Sequence, residues 1–261
     1  CGFFVHRAVA YLRHASPIDT LTWDGSYLST NYQSTLRTDY EYYGTDLSYE
    51  HQLSEVAAIT GAVSYFRFVP DDFLHTRSDI YGALIGYRYA PTDRFLVSGS
   101  AGLDYDVTHQ DDIGFDTGDS TDLGYRVKFN MNYALNDQTK AVISLSHDVQ
   151  PSGNGRLETQ NRGALTLNYQ FGEKTAFSLV ANYVDNQDYF GSGTGTNGSE
   201  ELSRYFSVGP SLSWDITEDL KLQASYQLRH KIFEGDGGSA TDNAAFLTIR
   251  YALPEMHWSL F

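Results

Sequence analysis

The sequence contains a single cysteine, Cys1, which excludes any disulfide within the chain. It has only 2 methionines and 6 prolines in 261 residues. Nowhere do about 18 apolar residues run together, which excludes a transmembrane helix. Basic residues are scarce beside acidic ones: 18 Lys and Arg against 33 Asp and Glu give a formal net charge of -15. That balance argues against nucleic acid as a partner, because phosphate binding needs a basic face. What is abundant is glycine, with 23 residues, and aromatics, with 20 Tyr and 15 Phe. A strand-built membrane protein fits this mixture, since only alternate residues of its strands need be apolar.

From about residue 20 onward the dominant pattern is period-two alternation, in runs long enough to cross a bilayer as tilted strands. Leu123, Tyr125, Val127, Phe129, Met131, Tyr133 and Leu135 interleave with Gly124, Arg126, Lys128, Asn130, Asn132 and Ala134. The same alternation puts Leu220, Leu222, Ala224, Tyr226 and Leu228 against Lys221, Gln223, Ser225, Gln227 and Arg229. Such runs predict twelve strands, at 20–32, 38–53, 56–68, 79–90, 94–107, 121–135, 139–150, 160–172, 175–189, 201–217, 220–233 and 243–253. Short turns at 54–55, 91–93, 136–138, 173–174 and 218–219 alternate with longer polar segments. Short periplasmic turns opposite long external loops are the signature of an outer-membrane barrel. The pattern predicts an all-β, antiparallel up-and-down transmembrane β-barrel of about 12 strands, over 19–261, with both termini periplasmic.

Residues 1–18 stand outside this pattern. Phe3, Phe4, Val5, Ala8, Val9, Tyr11 and Leu12 have partly helical spacing and predict a short periplasmic or interfacial helix, with a plug or an earlier strand as the other readings. Cys1 reads either as an acylated lipoprotein residue or simply as where the sequence starts. At the far end, Phe261 resembles the C-terminal aromatic that barrel-assembly machinery recognises, with Pro254 interrupting the strand before it.

Two stretches resemble the β-barrel porin-2 family of outer-membrane proteins. One runs from Thr38, Asp39 and Tyr40 through Gly44-Thr45-Asp46-Leu47-Ser48-Tyr49 to Leu53-Ser54-Glu55. In the other, Ser144-Leu145-Ser146-His147-Asp148-Val149-Gln150 runs into Pro151-Ser152-Gly153-Asn154-Gly155. The resemblance implies an outer-membrane protein associated with exopolysaccharide production and export. It also implies that this chain corresponds to the C-terminal part of a larger barrel, because family members are usually longer at the N-terminus.

Sorting strand residues by parity predicts an inward-facing, pore-lining set. Its basic members are Arg88, Arg126, Lys128, Lys140, Arg162, Lys221, Arg229, Lys231 and Arg250; its acidic members are Asp24, Asp46, Glu50, Asp104, Asp106, Asp148 and Asp215. Two readings remain open for these charges: they guide a polar or anionic solute, or they pair across strands and fill the interior. Closing the barrel predicts Lys221, Arg229, Lys231 and Arg250 opposite Asp24, Asp46 and Glu50. The acidic loop Asp111, Asp112, Asp116, Asp119 and Asp122 supplies oxygen ligands, but its spacing does not match a calcium-binding loop, and a solvated loop is the simpler reading. Asn197-Gly198-Ser199 has the form of a glycosylation sequon, without meaning in a bacterial protein. His51, His147 and His230 have lipid-facing parity, while His75 and His109 lie in polar loops beside carboxylates with no nucleophile motif.

These features predict passage or export of polar solutes through an outer-membrane barrel, with no enzymatic activity, cofactor or metal. The expected surroundings are outer-membrane lipid and lipopolysaccharide, with polysaccharide or envelope-complex proteins as partners. The alternative is a closed barrel serving as anchor or scaffold of an envelope complex, and a surface hydrolase ranks last.

Overall fold

A computed structural model describes residues 3–33, 38–72, 75–109, 111–112, 115–116, 119–151, 157–188, 203–233 and 238–252. Its strands are β1 (Phe3–Ala15), β2 (Asp19–Tyr32), β3 (Tyr40–Ser54), β4 (Ala57–Pro70), β5 (Arg77–Thr92), β6 (Phe95–His109), β7 (Asp111–Asp112), β8 (Phe115–Asp116), β9 (Ser120–Ala134), β10 (Thr139–Pro151), β11 (Leu157–Phe171), β12 (Thr175–Asp188), β13 (Ser203–Asp215), β14 (Leu220–Phe233) and β15 (Ser239–Tyr251). Thirteen of them form one sheet in chain order, every neighbour antiparallel, while β7 and β8 make a two-stranded hairpin of their own. This is the up-and-down architecture the alternation predicts, and the twelve expected strands correspond to β2–β6 and β9–β15.

The thirteenth strand is β1, and it corrects the helix expected over residues 1–18. Phe3–Ala15 pairs residue by residue with β2, from Phe3 opposite Tyr32 to Ala15 opposite Thr20. Its apolar spacing fits either element, and the main-chain groups that β2 offers along its whole length settle the choice for a strand. Ser16 and Asp19 close the β1–β2 turn: the Ser16 amide donates to the Asp19 carbonyl at 2.7 Å and the Asp19 amide to Ser16 Oγ at 3.0 Å. This adds a sixth short turn at the same edge as the five predicted ones. Gly172 holds the β11–β12 turn at φ 76°, a conformation that disfavours side chains.

An odd strand count changes where the ends fall. Both β1 and β15 run from the long-loop edge to the short-turn edge, so Phe3 and Tyr251 lie at opposite edges of the sheet. Two ends leaving on one side, as twelve strands require, is therefore not what the described strands show. Among the described residues neither β1 nor β15 pairs on its outer side, and the sheet is open.

Because side chains alternate, cross-strand register decides which residues share a face. Leu12, Trp23, Leu47, Val63, Ala83, Leu103 and Tyr125 are successive partners across seven strands. Ile143, Leu165, Ala181, Val208 and Leu228 continue the same face across five more. This apolar face is open to the surroundings: Leu103 is 57% and Leu247 69% exposed. The buried groups are mainly polar, among them Thr30, Ser64, Ser78, Asp104, Asp106, Thr108 and Arg126, while the apolar core is small, with Phe68, Ile80 and Leu157 clustered near the long-loop edge. Burial is thus inverted relative to a water-soluble domain, where such an apolar expanse would be covered.

Candidate functional site: the polar face of the sheet

The sixteen charges sorted inward by parity all fall on the face opposite that apolar one. Register connects them directly in places: Asp24 faces Asp46 across β2–β3, Asp215 faces Lys221 across β13–β14, and Lys221 faces Arg250 across β14–β15. Their environments divide the face into two regions.

The first region spans β3 to β9 and is packed. Asp104 has no exposed surface and Arg126 is 8% exposed. Arg126 grips the carboxylate with two bonds, Nη2 to Oδ1 at 2.6 Å and Nε to Oδ2 at 3.2 Å. This is the two-pronged geometry that makes guanidinium–carboxylate pairs strong. The residues directly opposite them are glycines, Gly102 facing Arg126 and Gly124 facing Asp104, so nothing larger crowds the pair from those positions. Gly82 lies beneath it; a Cβ there would come within 2.6 Å of Asp104 Oδ1 and also collide with Ser64 Oγ. The Arg126 guanidinium then reaches the Phe66 ring, 5.3 Å from its centroid. Phe66 is on β4, three strands from β9 and level with Asp122, four residues from Arg126, which is about 19 Å along a flat sheet. The sheet must therefore curve with this polar face concave. Arg88 bonds Glu50 across β4, Nη2 to Oε1 at 2.7 Å, over the small side chains Ala58 and Thr60 that pair beside them. Nearer the long-loop edge, Ser78 and Thr108 share a buried hydrogen bond of 2.7 Å, and Thr108 Oγ1 donates to Asp106 at 3.2 Å.

The second region spans β10 to β14 and is open. A groove of about 640 Å³ near the short-turn edge is lined by Lys140, Asn168, Gln170, Ser178, Ser213, Lys221 and Gln223 among others. These supply ammonium, amide and hydroxyl groups, a set that both donates and accepts hydrogen bonds. Lys221 reaches Asp215 at 3.1 Å, and Lys128 at the boundary between the regions reaches Asp148 at 3.5 Å. Arg229 lies 4.0 Å from Asp242 and bonds Gln227 at 2.5 Å, Arg162 bonds Gln150 at 3.3 Å, and Lys231 sits over the Phe233 ring at 4.4 Å. No ion pair involves Lys140 or Arg250 among the described residues.

The field expected across a β15–β2 closure is not formed. β1 occupies the place beside β2, the sheet is open, and Glu50 and Lys221 have nearer partners in Arg88 and Asp215. Neither Tyr42 nor Phe66 belongs to the charge-based set, yet they stack at 5.7 Å on this face and wall the buried pair. Their even parity among polar neighbours was the available signal. His51, His147 and His230 lie on the apolar face, bonded to Asp19, Asn161 and Thr241. His109 bonds Asp119 at 2.5 Å, and His75 takes a left-handed φ of 45° in the β4–β5 loop. Among the described residues no three His, Cys, Asp or Glu side chains gather as a metal site. Cys1, the sequon at Asn197, Pro254 and Phe261 lie outside the described residues, as do the side chains of Asp111, Asp112 and Asp116.

A family model described as "Protein of unknown function, DUF481" matches residues 11–189. No curated protein matches the sequence. Among solved structures, the copper transporter OprC aligns at a TM-score of 0.60 and 14% identity, over 95% of this chain and 50% of its own. The ferric yersiniabactin uptake receptor FyuA from Yersinia pestis aligns at 0.52 and 11%, over 89% of this chain and 43% of its own. The outer membrane channel DcaP of Acinetobacter baumannii aligns at 0.51 and 12%, over 94% and 84%. The chain spans about half the length of OprC and FyuA. At these identities the likeness shows the fold, the antiparallel up-and-down sheet of outer-membrane β-barrels.

Proposed function

The chain belongs to the DUF481 family, and we propose that it forms the wall of a β-barrel in a Gram-negative outer membrane through which polar solutes pass. One observation carries this reading: a single register keeps an exposed apolar face and a polar face, concave from β4 to β9, separate from β2 to β14. Lipid suits the first face and water the second. The solved proteins that share the fold bear the names of a transporter, a receptor and a channel, which supports passage over catalysis.

The open region of the polar face points to the solute class. Two lysines and a bank of amides and hydroxyls suit a hydroxylated, acid-bearing solute such as an acidic polysaccharide, exopolysaccharide of unstated charge being what the porin-2 resemblance implies. The packed region favours a second reading, in which the interior is filled by its own side chains and the protein anchors an envelope complex. Planar-bilayer recording separates the two. Conductance that falls in the presence of an acidic oligosaccharide, and less with a neutral one of equal length, supports passage. A folded, inserted protein with no conductance supports the anchor.

A further inference from the structure

Three charged side chains gather on the apolar face near the long-loop edge of β4 and β5, while Asp19, Glu41 and the Asp185–Arg204 pair interrupt the same face elsewhere. Arg67 lies directly opposite Asp79, and Arg77 is two residues before Asp79 on the same face. Arg67 Nε donates to Asp79 Oδ1 at 2.7 Å, Arg77 Nε lies 3.1 Å from Oδ2, and the Tyr65 hydroxyl donates to Oδ1 at 2.6 Å. The Asp79 side chain is 6% exposed, whereas those of Arg67 and Arg77 are 40% and 44% exposed. One buried carboxylate thus holds two guanidiniums by their Nε atoms. Arg67 also meets the Tyr65 side chain, and neither arginine has an ion-pair partner other than Asp79 among the described residues.

Charge on a lipid-facing surface is costly at mid-membrane and tolerated only near the interfaces. Tyrosines mark those levels. Tyr65 and Tyr81 pack at 5.2 Å, Tyr27 and Tyr43 at 5.0 Å, and Tyr87 and Tyr89 at 6.4 Å towards the other edge. Tyr81 and Tyr89 are eight residues apart, about 27 Å along the strand at roughly 3.4 Å each. A tilt of about 40° reduces this to about 21 Å along the membrane normal, comparable to an apolar band of about 25 Å. Arg67 and Arg77 then stand just beyond the upper girdle, at headgroup level. Two acids on this part of the surface are engaged: Glu41 accepts from Tyr43 at 2.6 Å and Tyr27 at 3.2 Å, and Asp119 pairs with His109.

We propose that Arg67 and Arg77, fixed by Asp79, form a binding site for a phosphate group of lipopolysaccharide in the outer leaflet. The inference rests on the outer-membrane reading, with the long loops external. Planar guanidinium forks match phosphate oxygens, and tyrosine rings accommodate the sugar and upper acyl region beside them.

The test titrates the refolded protein in zwitterionic micelles with diphosphoryl lipid A, dephosphorylated lipid A or phosphatidylglycerol, with bound lipid counted by native mass spectrometry. Diphosphoryl lipid A should bind at least tenfold more tightly than either other lipid. The double variant Arg67→Gln with Arg77→Gln should lose that preference while keeping the heat-modifiable gel migration of a folded barrel. If that variant does not fold, Arg67→Lys with Arg77→Lys retains the charges that Asp79 needs and should still bind diphosphoryl lipid A several-fold more weakly. Equal binding by the native protein and the folded variant, or equal binding of the three lipids, overturns the site. Flotation with vesicles separates the two levels of the argument: a protein that floats but shows no lipid A preference loses only this site. One that does not float loses the membrane reading and the site with it.

Discussion

On the polar face, β3 to β9 and β10 to β14 use the same residue types to opposite ends. In the first region Arg126, Asp104, Arg88 and Glu50 pair at close range over glycine, alanine and threonine, and aromatic rings wall the Arg126–Asp104 pair. In the second, Lys140, Lys221, Asn168 and Gln223 line a groove. The difference arises from what lies between the charges. Where small residues fill the neighbouring positions, a long cationic side chain lies flat across the sheet and finds a carboxylate. Where Ser, Asn and Gln fill them, side chains stand up and leave room for solvent or solute. One face can therefore combine a filled side with an open one.

The largest expected effect comes from breaking the buried pair. Asp104→Ala leaves the Arg126 guanidinium buried without its partner and should cost about 3–5 kcal/mol, while Asp104→Leu combined with Arg126→Met should recover most of the loss. Reversible unfolding in lipid vesicles measures both. A cost below about 1 kcal/mol would mean the first region is as solvated as the second. Next comes the sorting of faces: Leu103→Arg, outward at the middle of β6, should cost about 2–4 kcal/mol, and Ser225→Arg, inward at the middle of β14, close to nothing. The same assay reports both.

Most of the frame was legible before any coordinates, because a period of two over 9 or more residues admits few other elements. Twelve strands and the face of all sixteen inward charges follow from that alone. β1 did not, since an edge strand is held by main-chain bonds to β2, and its Phe3-Phe4-Val5 start does not alternate. That one element accounts for the thirteenth strand and for Phe3 lying at the edge opposite Tyr251. Pairing partners were also hidden. Parity gives a face, but whether Glu50 meets Arg88 depends on Ala58 and Thr60 lying between them. Arg67 and Arg77 fall outside the inward-facing charges, and the signal for them is an arginine between Tyr65 and Val69 on the apolar parity.

Two smaller effects sharpen the contrast between regions. Gly82→Ala places a methyl group against Ser64 Oγ and Asp104 Oδ1, and should destabilise by about 1–3 kcal/mol through overpacking. Gly163, on the outward face of β11, has its nearest side-chain neighbour 3.5 Å from such a methyl, and Gly163→Ala should be nearly neutral in the same unfolding assay. In the open region, Lys140→Gln with Lys221→Gln should shift the ion preference of any conductance towards cations without loss of stability. Reversal potentials should show the shift shrinking between 0.1 and 1 M salt, as the Debye length falls from about 10 to about 3 Å.

The separation of faces is tested most directly by spin labels placed singly along β14, from Leu222 to Lys231, in the protein inserted in lipid vesicles. Oxygen, concentrated in the bilayer, should broaden labels at even positions such as Leu222, Ala224, Tyr226 and Leu228. A water-soluble nickel chelate should broaden those at odd positions such as Gln223, Ser225, Gln227 and Arg229. A period of two, with the reagents out of phase, is the predicted result. Uniform access of the nickel chelate to every position would contradict the account and return the sheet to water on both sides.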